Sequence, residues 1–187
     1  GVTTILPEHT LTAFVGQRVV SEVLPRLAMQ EEPFSLHISF NSPHAPRLLP
    51  ELYASMFEAS KMPVPPSIND PLIDSPYKYR KKNEPYSDPN TIGSAIALYF
   101  AQVKEVDIWL GKILDQVDTL GLTNNTFLIF TSDHGEMMGS HGMMGKGEMY
   151  EESVRVPLLR RFPNAIPSHT TVRAPGPHRD IFATIFD

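Results

Sequence analysis

The chain has 187 residues, 41% of them hydrophobic and 20% charged, with a net charge of −5, the proportions of an ordinary globular chain long enough to bury a core. The acidic balance argues against a nucleic-acid partner, which wants a clustered basic face. There is no cysteine, which excludes disulfides and thiolate metal sites within these residues, and no apolar run approaches the ~20 residues of a membrane span.

Gly1 to Pro7 has no initiator Met, no basic start and no apolar core, so residue 1 is expected not to be the natural start. Residues 10–30 predict a helix. Thr10 can cap it, and Leu11, Phe14, Val15, Val19, Val23, Leu24 and Leu27 keep helical spacing. Pro25 is expected to kink or shorten its end. Residues 34–40 alternate, with Phe34, Leu36, Ile38 and Phe40 on one face and Ser35, His37 and Ser39 on the other, which predicts a strand.

Ten of the eighteen prolines fall between Pro43 and Pro89. Proline removes backbone donors and fixes φ, so 41–90 reads as an irregular loop region that wraps the surface and shapes a cleft. The basic run Lys78, Arg80, Lys81 and Lys82 within it reads as a solvated face. Residues 91–120 form the strongest predicted helix, with a stripe of Ile92, Ile96, Tyr99, Val103, Val106, Leu110, Ile113, Leu114 and Val117. Gly121 is a good stop. Residues 126–132 are a nearly continuous apolar run, as in a strand buried on both faces of a parallel sheet, and helix plus strand make half of a βαβ unit. Asn124-Asn125-Thr126 is a formal glycosylation sequon but reads as the turn before that strand. Residues 133–150 should be a loop, Val154–Leu159 another strand and 178–187 a closing helix.

The chemistry centres on the end of the apolar run, Ser132-Asp133-His134-Gly135-Glu136. Ligands of open α/β sheets bind beyond the carboxyl ends of strands. A carboxylate and an imidazole side by side there can share one cation, and Gly135 lets the chain turn away. The same residues also suit a local role, with Asp133 capping the next turn and His134 bonding to backbone. Downstream, Gly139, Gly142, Gly145 and Gly147 surround Lys146. A lysine on so bare a loop is either solvated or aimed at an anion, for which its point charge suits a sulfate or phosphate oxygen. Upstream, Pro43-His44-Ala45-Pro46 holds an imidazole between two prolines that stiffen its loop. His141 sits either beside the cation or on the pocket wall as a substrate contact. Glu136 and Glu148 read as surface residues or caps. Met137, Met138, Met143, Met144 and Met149 read as adaptable pocket or core packing. His9, His37 and His169 read as structural or exposed.

The stretch Ser132–Leu158, with Asp-His-Gly-Glu, Gly-Lys-Gly and Tyr-Glu-Glu-Ser-Val-Arg-Val-Pro-Leu, resembles the sulfatase family of the alkaline phosphatase superfamily, in the branch with Asp-His as its second metal-ligand pair. Pro43-His44-Ala45-Pro46 resembles the family's Pro-His-x-Pro segment. The likeness runs from about residue 10 to 187. It implies an α/β fold, a partial doubly wound sheet lacking its N-terminal strands, in which 1–187 is a fragment of a single catalytic domain. It implies that Asp133 and His134 bind a divalent cation, calcium first, with manganese or zinc as alternatives. It implies that Lys146 and His44 contact the anionic ester and ease departure of the alcohol, and that the substrate is a small-molecule or carbohydrate sulfate ester. The family's nucleophile, a hydrated formylglycine made from Cys-x-Pro-x-Arg or Ser-x-Pro-x-Arg, is expected outside this chain, which contains neither motif. The fragment alone is then expected to bind metal weakly and not to turn over. A phosphonate monoester or phosphodiester hydrolase of the same superfamily is the alternative, and a non-catalytic interaction module the alternative of another class. The resemblance favours a secreted, lysosomal or periplasmic location and leaves the oligomeric state open.

Overall fold

The computed structural model describes residues 1–77 and 88–186, the side chain of Phe186 excepted; the basic run at 78–82 lies outside the described residues. Strand β1, Val2–Thr3, pairs in parallel with β2, Leu49–Pro50. Between them runs helix α1, Leu11–Arg18, a π-helical turn at Val19–Val23, and helix α2, Leu24–Ala28. Thr10 caps α1 by accepting the Ala13 N–H at 3.0 Å, as its position predicts. The predicted single helix therefore forms, with a widened turn in it. Pro25 has no N–H, and its ring would strike the carbonyl one turn back, so the chain loosens just before it and Leu24 N–H reaches back to the Val19 carbonyl instead.

Residues 34–40 keep their alternation, with Leu36, Ile38 and Phe40 packed on the core and Ser35, His37 and Ser39 exposed. They form no strand, because no other described segment pairs with them. The proline-rich region is less superficial than expected. It contains helix α3, Glu51–Ala54, and buries Leu49, Tyr53, Ile68 and Leu72. Helix α4, Ile92–Thr119, is 28 residues long, which at the α-helical rise makes a rod of about 42 Å. Three clusters lie along it: Ile68, Ile92, Ala95 and Ile96; Leu49, Tyr53 and Ala101; and Val19, Leu24, Ile113 and Val117. The ends of the predicted stripe are buried, but its middle is not. Val103 is 43% exposed, whereas Gln102, Glu105 and Trp109 face the core.

A turn at Thr123–Asn125 leads into β3, Leu128–Thr131, so the sequon residues do lie in a turn. After the glycine-rich loop come helix α5, Glu151–Val154, and β4, Leu158–Arg161. The predicted strand at 154–159 thus starts four residues late, its first residue, Val154, belonging to α5. β4 pairs antiparallel with β3, Thr131 opposite Leu158. β3 is half-buried in this chain rather than covered on both faces. Helix α6, Arg179–Phe186, closes the described chain. The whole is a partial α/β arrangement of two two-stranded sheets and helices organised on α4. No helix among the described residues is long and apolar enough to cross a membrane.

α1 crosses α4 where Gly16 meets Trp109. A Cβ at Gly16 would stand 2.3 Å from the indole ring. Gly16→Ala should therefore lower stability by about 1–3 kcal/mol through overpacking, despite the ~1 kcal/mol that Ala gains in helix propensity. A urea titration in which the alanine variant matches or exceeds the parent would overturn this close-packing account.

Candidate functional site

The end of β3, the turn after Phe40 and the wall of α4 enclose a cleft of about 340 Å³, lined among others by Phe40, Ser42, His44, Tyr99, Asp133 and His134. Three segments far apart in sequence are thereby brought together.

Asp133 and His134 stand at the strand end. Their backbone is braced by Ser132, whose hydroxyl donates to the His134 carbonyl at 2.9 Å. The Asp133 carboxylate accepts the His134 N–H at 2.9 Å. His134 Nδ1 lies 2.8 Å from the Gly135 carbonyl oxygen. A carbonyl only accepts, so Nδ1 carries the proton, and in the neutral ring Nε2 keeps its lone pair. That Nε2 is 3.5 Å from Asp133 Oδ2. Burial acts on the Asp133 carboxyl as the largest single influence and raises its pKa, but the His134 N–H, the His134 ring and the Ser132 hydroxyl together hold it below the usual value. Gly135 is required by a close approach. A Cβ there would be 2.0 Å from the Glu152 carbonyl oxygen, and its N–H donates to Ser153 O at 2.8 Å. The local roles foreseen for Asp133 and His134 are thus present, and both side chains still face the cleft.

When the imidazole is neutral, its Nε2 and the carboxylate face each other as two acceptors. Adjacent ligand atoms around a hard cation with bonds of ~2.4 Å, set at right angles, are about 3.4 Å apart. The donor pair fits a divalent cation in chemistry and spacing; protonated, the same pair is an ion pair. Among the described residues no group of three or more His, Asp or Glu side chains completes a metal site, and hard cations take ~6–8 oxygen-type ligands.

His44 lies on a turn closed by its own N–H to the Asn41 carbonyl at 3.0 Å. Its Nδ1 is 2.6 Å from Ala45 O, which again places the proton on Nδ1. Nε2 is then an acceptor, and Lys146 Nζ donates to it at 2.8 Å across 102 residues of sequence. Lys146 is set by its neighbours. Gly145 and Gly147 both take positive φ, at 84° and 110°, values that side-chain-bearing residues avoid. The Met137 N–H bonds the Gly145 carbonyl at 2.8 Å, and the Gly147 N–H reaches Ser153 Oγ at 3.3 Å.

Sequence reasoning missed the clamp between these two loops. Arg47, directly after Pro-His-x-Pro, pairs with Glu136 at 3.3 Å, their side chains only 13% and 16% exposed. Glu136 also accepts the Gly145 N–H, and the Arg47 guanidinium lies 5.7 Å from the centre of the Tyr99 ring. Burial first, then the Glu136 charge, raise the Tyr99 phenol above its usual pKa. Glu136 is therefore an internal strut and not a surface residue. Glu148 is buried too, at 0% exposure. The only signal for the clamp was an isolated charge of each sign beside each motif.

His141 is not among the residues lining the cleft. Its Nδ1 is 2.6 Å from Asp70 Oδ2 and its ring stacks on Tyr150 with centroids 3.9 Å apart. It joins the proline-rich region to the glycine-rich loop, which accounts for its conformation without a ligand. Met137 and Met143 are core and Met138 and Met144 pack beside Ile92, whereas Met149 is 77% exposed. His9, His37 and His169 are exposed.

Comparison with known proteins gives this site a setting. The Sulfatase family profile matches residues 10–187. A sulfatase of Formosa agariphila is 28% identical over 98% of this chain and 36% of its own length. An arylsulfatase of Clostridium perfringens is 32% identical over 75% of this chain and 30% of its own length. The crystal structure of a phosphonate monoester hydrolase of Agrobacterium radiobacter superposes with a TM-score of 0.74 at 30% identity, covering 87% of this chain and 35% of that one. The chain spans about a third of the length of these proteins.

Removing Glu136 should leave a poorly hydrated guanidinium. Glu136→Ala is expected to destabilise the protein by about 3 kcal/mol, and the paired replacement Arg47→Met with Glu136→Leu to recover most of it. Urea midpoints of the three proteins check this; a harmless Glu136→Ala would remove the clamp from the structural account.

Proposed function

Because the chain belongs to the sulfatase family, we propose that it supplies the anion-binding pair and half of the cation site of a sulfuric ester hydrolase. The observation that supports this most directly is the 2.8 Å contact between His44 and Lys146, from loops 102 residues apart in sequence, beside a cleft that also holds Asp133 and His134.

In this reading Lys146 and His44 bind the anionic ester oxygens. Lys146 brings a compact positive charge with three donors. His44 has its Nδ1 proton committed to the Ala45 carbonyl, so it can donate to the ester only when Nε2 is protonated as well. That Nε2 proton is then the one placed to pass to the departing alcohol oxygen, a general-acid role that leaves the ring neutral. Tyr99 and Phe40 line the same cleft. Asp133 and His134 would hold a divalent cation, calcium first, manganese or zinc otherwise, which when bound supplies charge neutralisation at the ester oxygens. The nucleophile is a formylglycine outside these 187 residues, and the substrate a small-molecule or carbohydrate sulfate ester. With two donors from this chain, the isolated chain binds cation weakly and does not turn over.

A phosphonate monoester or phosphodiester hydrolase is the second reading, favoured by the 0.74 TM-score to such an enzyme. Paired assays of the full-length protein on an aryl sulfate and an aryl phosphodiester separate the two. A non-catalytic module would lack the nucleophile motif throughout its full-length sequence.

Two measurements on the full-length protein test the site. Calorimetric titration of Ca²⁺ should show Asp133→Ala binding at least about tenfold more weakly, and equal affinities would remove Asp133 from the cation. Lys146→Met and His44→Gln should each lower kcat/KM on the ester about 10²-fold or more; full activity of either would end its assignment.

A further inference from the structure

α4 carries two polar side chains on the face it buries, Gln102 at 4% exposure and Glu105 at 2%. Polar groups on a buried helix face are unfavourable unless bonded, and a buried carboxylate more so. Neither residue lines the cleft, and neither enters the chemistry above. Both nevertheless lead to the turn that carries His44. The Gln102 amide reaches the His44 carbonyl at 3.5 Å. Glu105 receives the hydroxyl of Thr10 and a second side-chain hydrogen bond from Thr12. The Thr12 hydroxyl oxygen is in turn 2.9 Å from Ser42 Oγ.

The direction of this chain is set by chemistry. With Glu105 ionised, the carboxylate only accepts, so the single Thr12 proton goes to Glu105. The Thr12 oxygen must then accept, and the donor is Ser42. The Ser42 hydroxyl is held pointing into the protein, two residues before the imidazole and on the wall of the cleft. Burial, the largest influence, holds the Glu105 pKa above its usual value, and the hydrogen bonds from the Thr10 and Thr12 hydroxyls offset only part of that rise.

We propose that Glu105 is a positioning residue for His44, acting through Thr12 and Ser42, with Gln102 steadying the same turn from the same helix face. Glu105 does not touch substrate; it fixes the turn from which the imidazole meets Lys146. This inference rests on the anion-binding role of His44 given above. A misplacement of about 1 Å can lower a rate 10²-fold, so the effect falls on turnover.

The test uses the full-length protein, p-nitrophenyl sulfate as substrate and inorganic sulfate as competing anion. Glu105→Leu removes the acceptor. Thr12→Val, nearly the same size, cuts the link and leaves Glu105 with Thr10. Each should lower kcat about 10- to 100-fold with a smaller change in KM, and the double variant should lose no more than either single one, because they act in one chain. Glu105→Gln keeps an accepting oxygen and should restore kcat to within about threefold. Melting temperatures are followed in parallel, and if Glu105→Leu does not fold, Thr12→Val carries the test. Additive losses, unaltered kcat in Thr12→Val, or a Glu105→Gln as impaired as Glu105→Leu would each overturn the proposal. His44→Gln tells the two levels apart. If it is impaired and the Thr12 and Glu105 variants are not, the relay alone fails; if it is fully active, the role of His44 fails and the relay with it.

Discussion

Burial of one face of α4 is the constraint from which the rest of the molecule follows. The helix is too long for a single cluster, so separate parts of the chain dock on it in turn. Ile68 and two methionines of the glycine-rich loop, Met138 and Met144, meet its first turns. Leu49 and Tyr53 meet its middle. The π-helical turn, α2 and the extended segment 36–40 meet its last turns. Apolar burial is worth roughly 25 cal/mol per Å², without directional preference. It brings the loops near one another but does not set atoms to within tenths of an ångström. That finer placement falls to polar contacts between the loops, above all Arg47 with Glu136 and Ser42 with Thr12.

The same division explains what could be read from the sequence. α4 and α6 were legible because helical periodicity is a local property of consecutive residues. The turn before β3 and the capping of α1 by Thr10 were legible for the same reason. The strand expected at 34–40 shows where local evidence ends. Its two faces are as alternation dictates, but a strand also needs a neighbour, and no described segment supplies one. The antiparallel partnership of β3 with β4 was likewise invisible, because continuous apolar character reports burial and not the direction of the adjoining strand.

At the site, residue type and spacing singled out Asp133, His134, Lys146 and His44; three of these, His44, Asp133 and His134, line one cleft, and Lys146 contacts His44. What spacing could not reveal was support. Glu136 reads from the sequence as a surface residue or cap and Glu105 carries no signal, yet Glu136 is largely enclosed and Glu105 is buried. Their burial follows from partners tens of residues away, information that no window of sequence contains. His141 shows the same limit from the other side: a histidine beside a motif suggests a ligand role, whereas the contacts it makes are the bond to Asp70 and the stacking on Tyr150.

The two halves of the site also differ in how they are held through the chain. Asp133 and His134 are consecutive, and their mutual geometry is fixed by bonds within four residues of backbone. His44 and Lys146 are 102 residues apart. Bringing such distant points together carries a loop-closure entropy that grows with the logarithm of separation, and only the assembled core offsets it. On gradual denaturation the carboxylate and imidazole therefore remain neighbours after the ammonium and the other imidazole have parted. The distant pair is a reporter of global folding, and the adjacent pair is a short-range motif that a peptide of a few residues already contains.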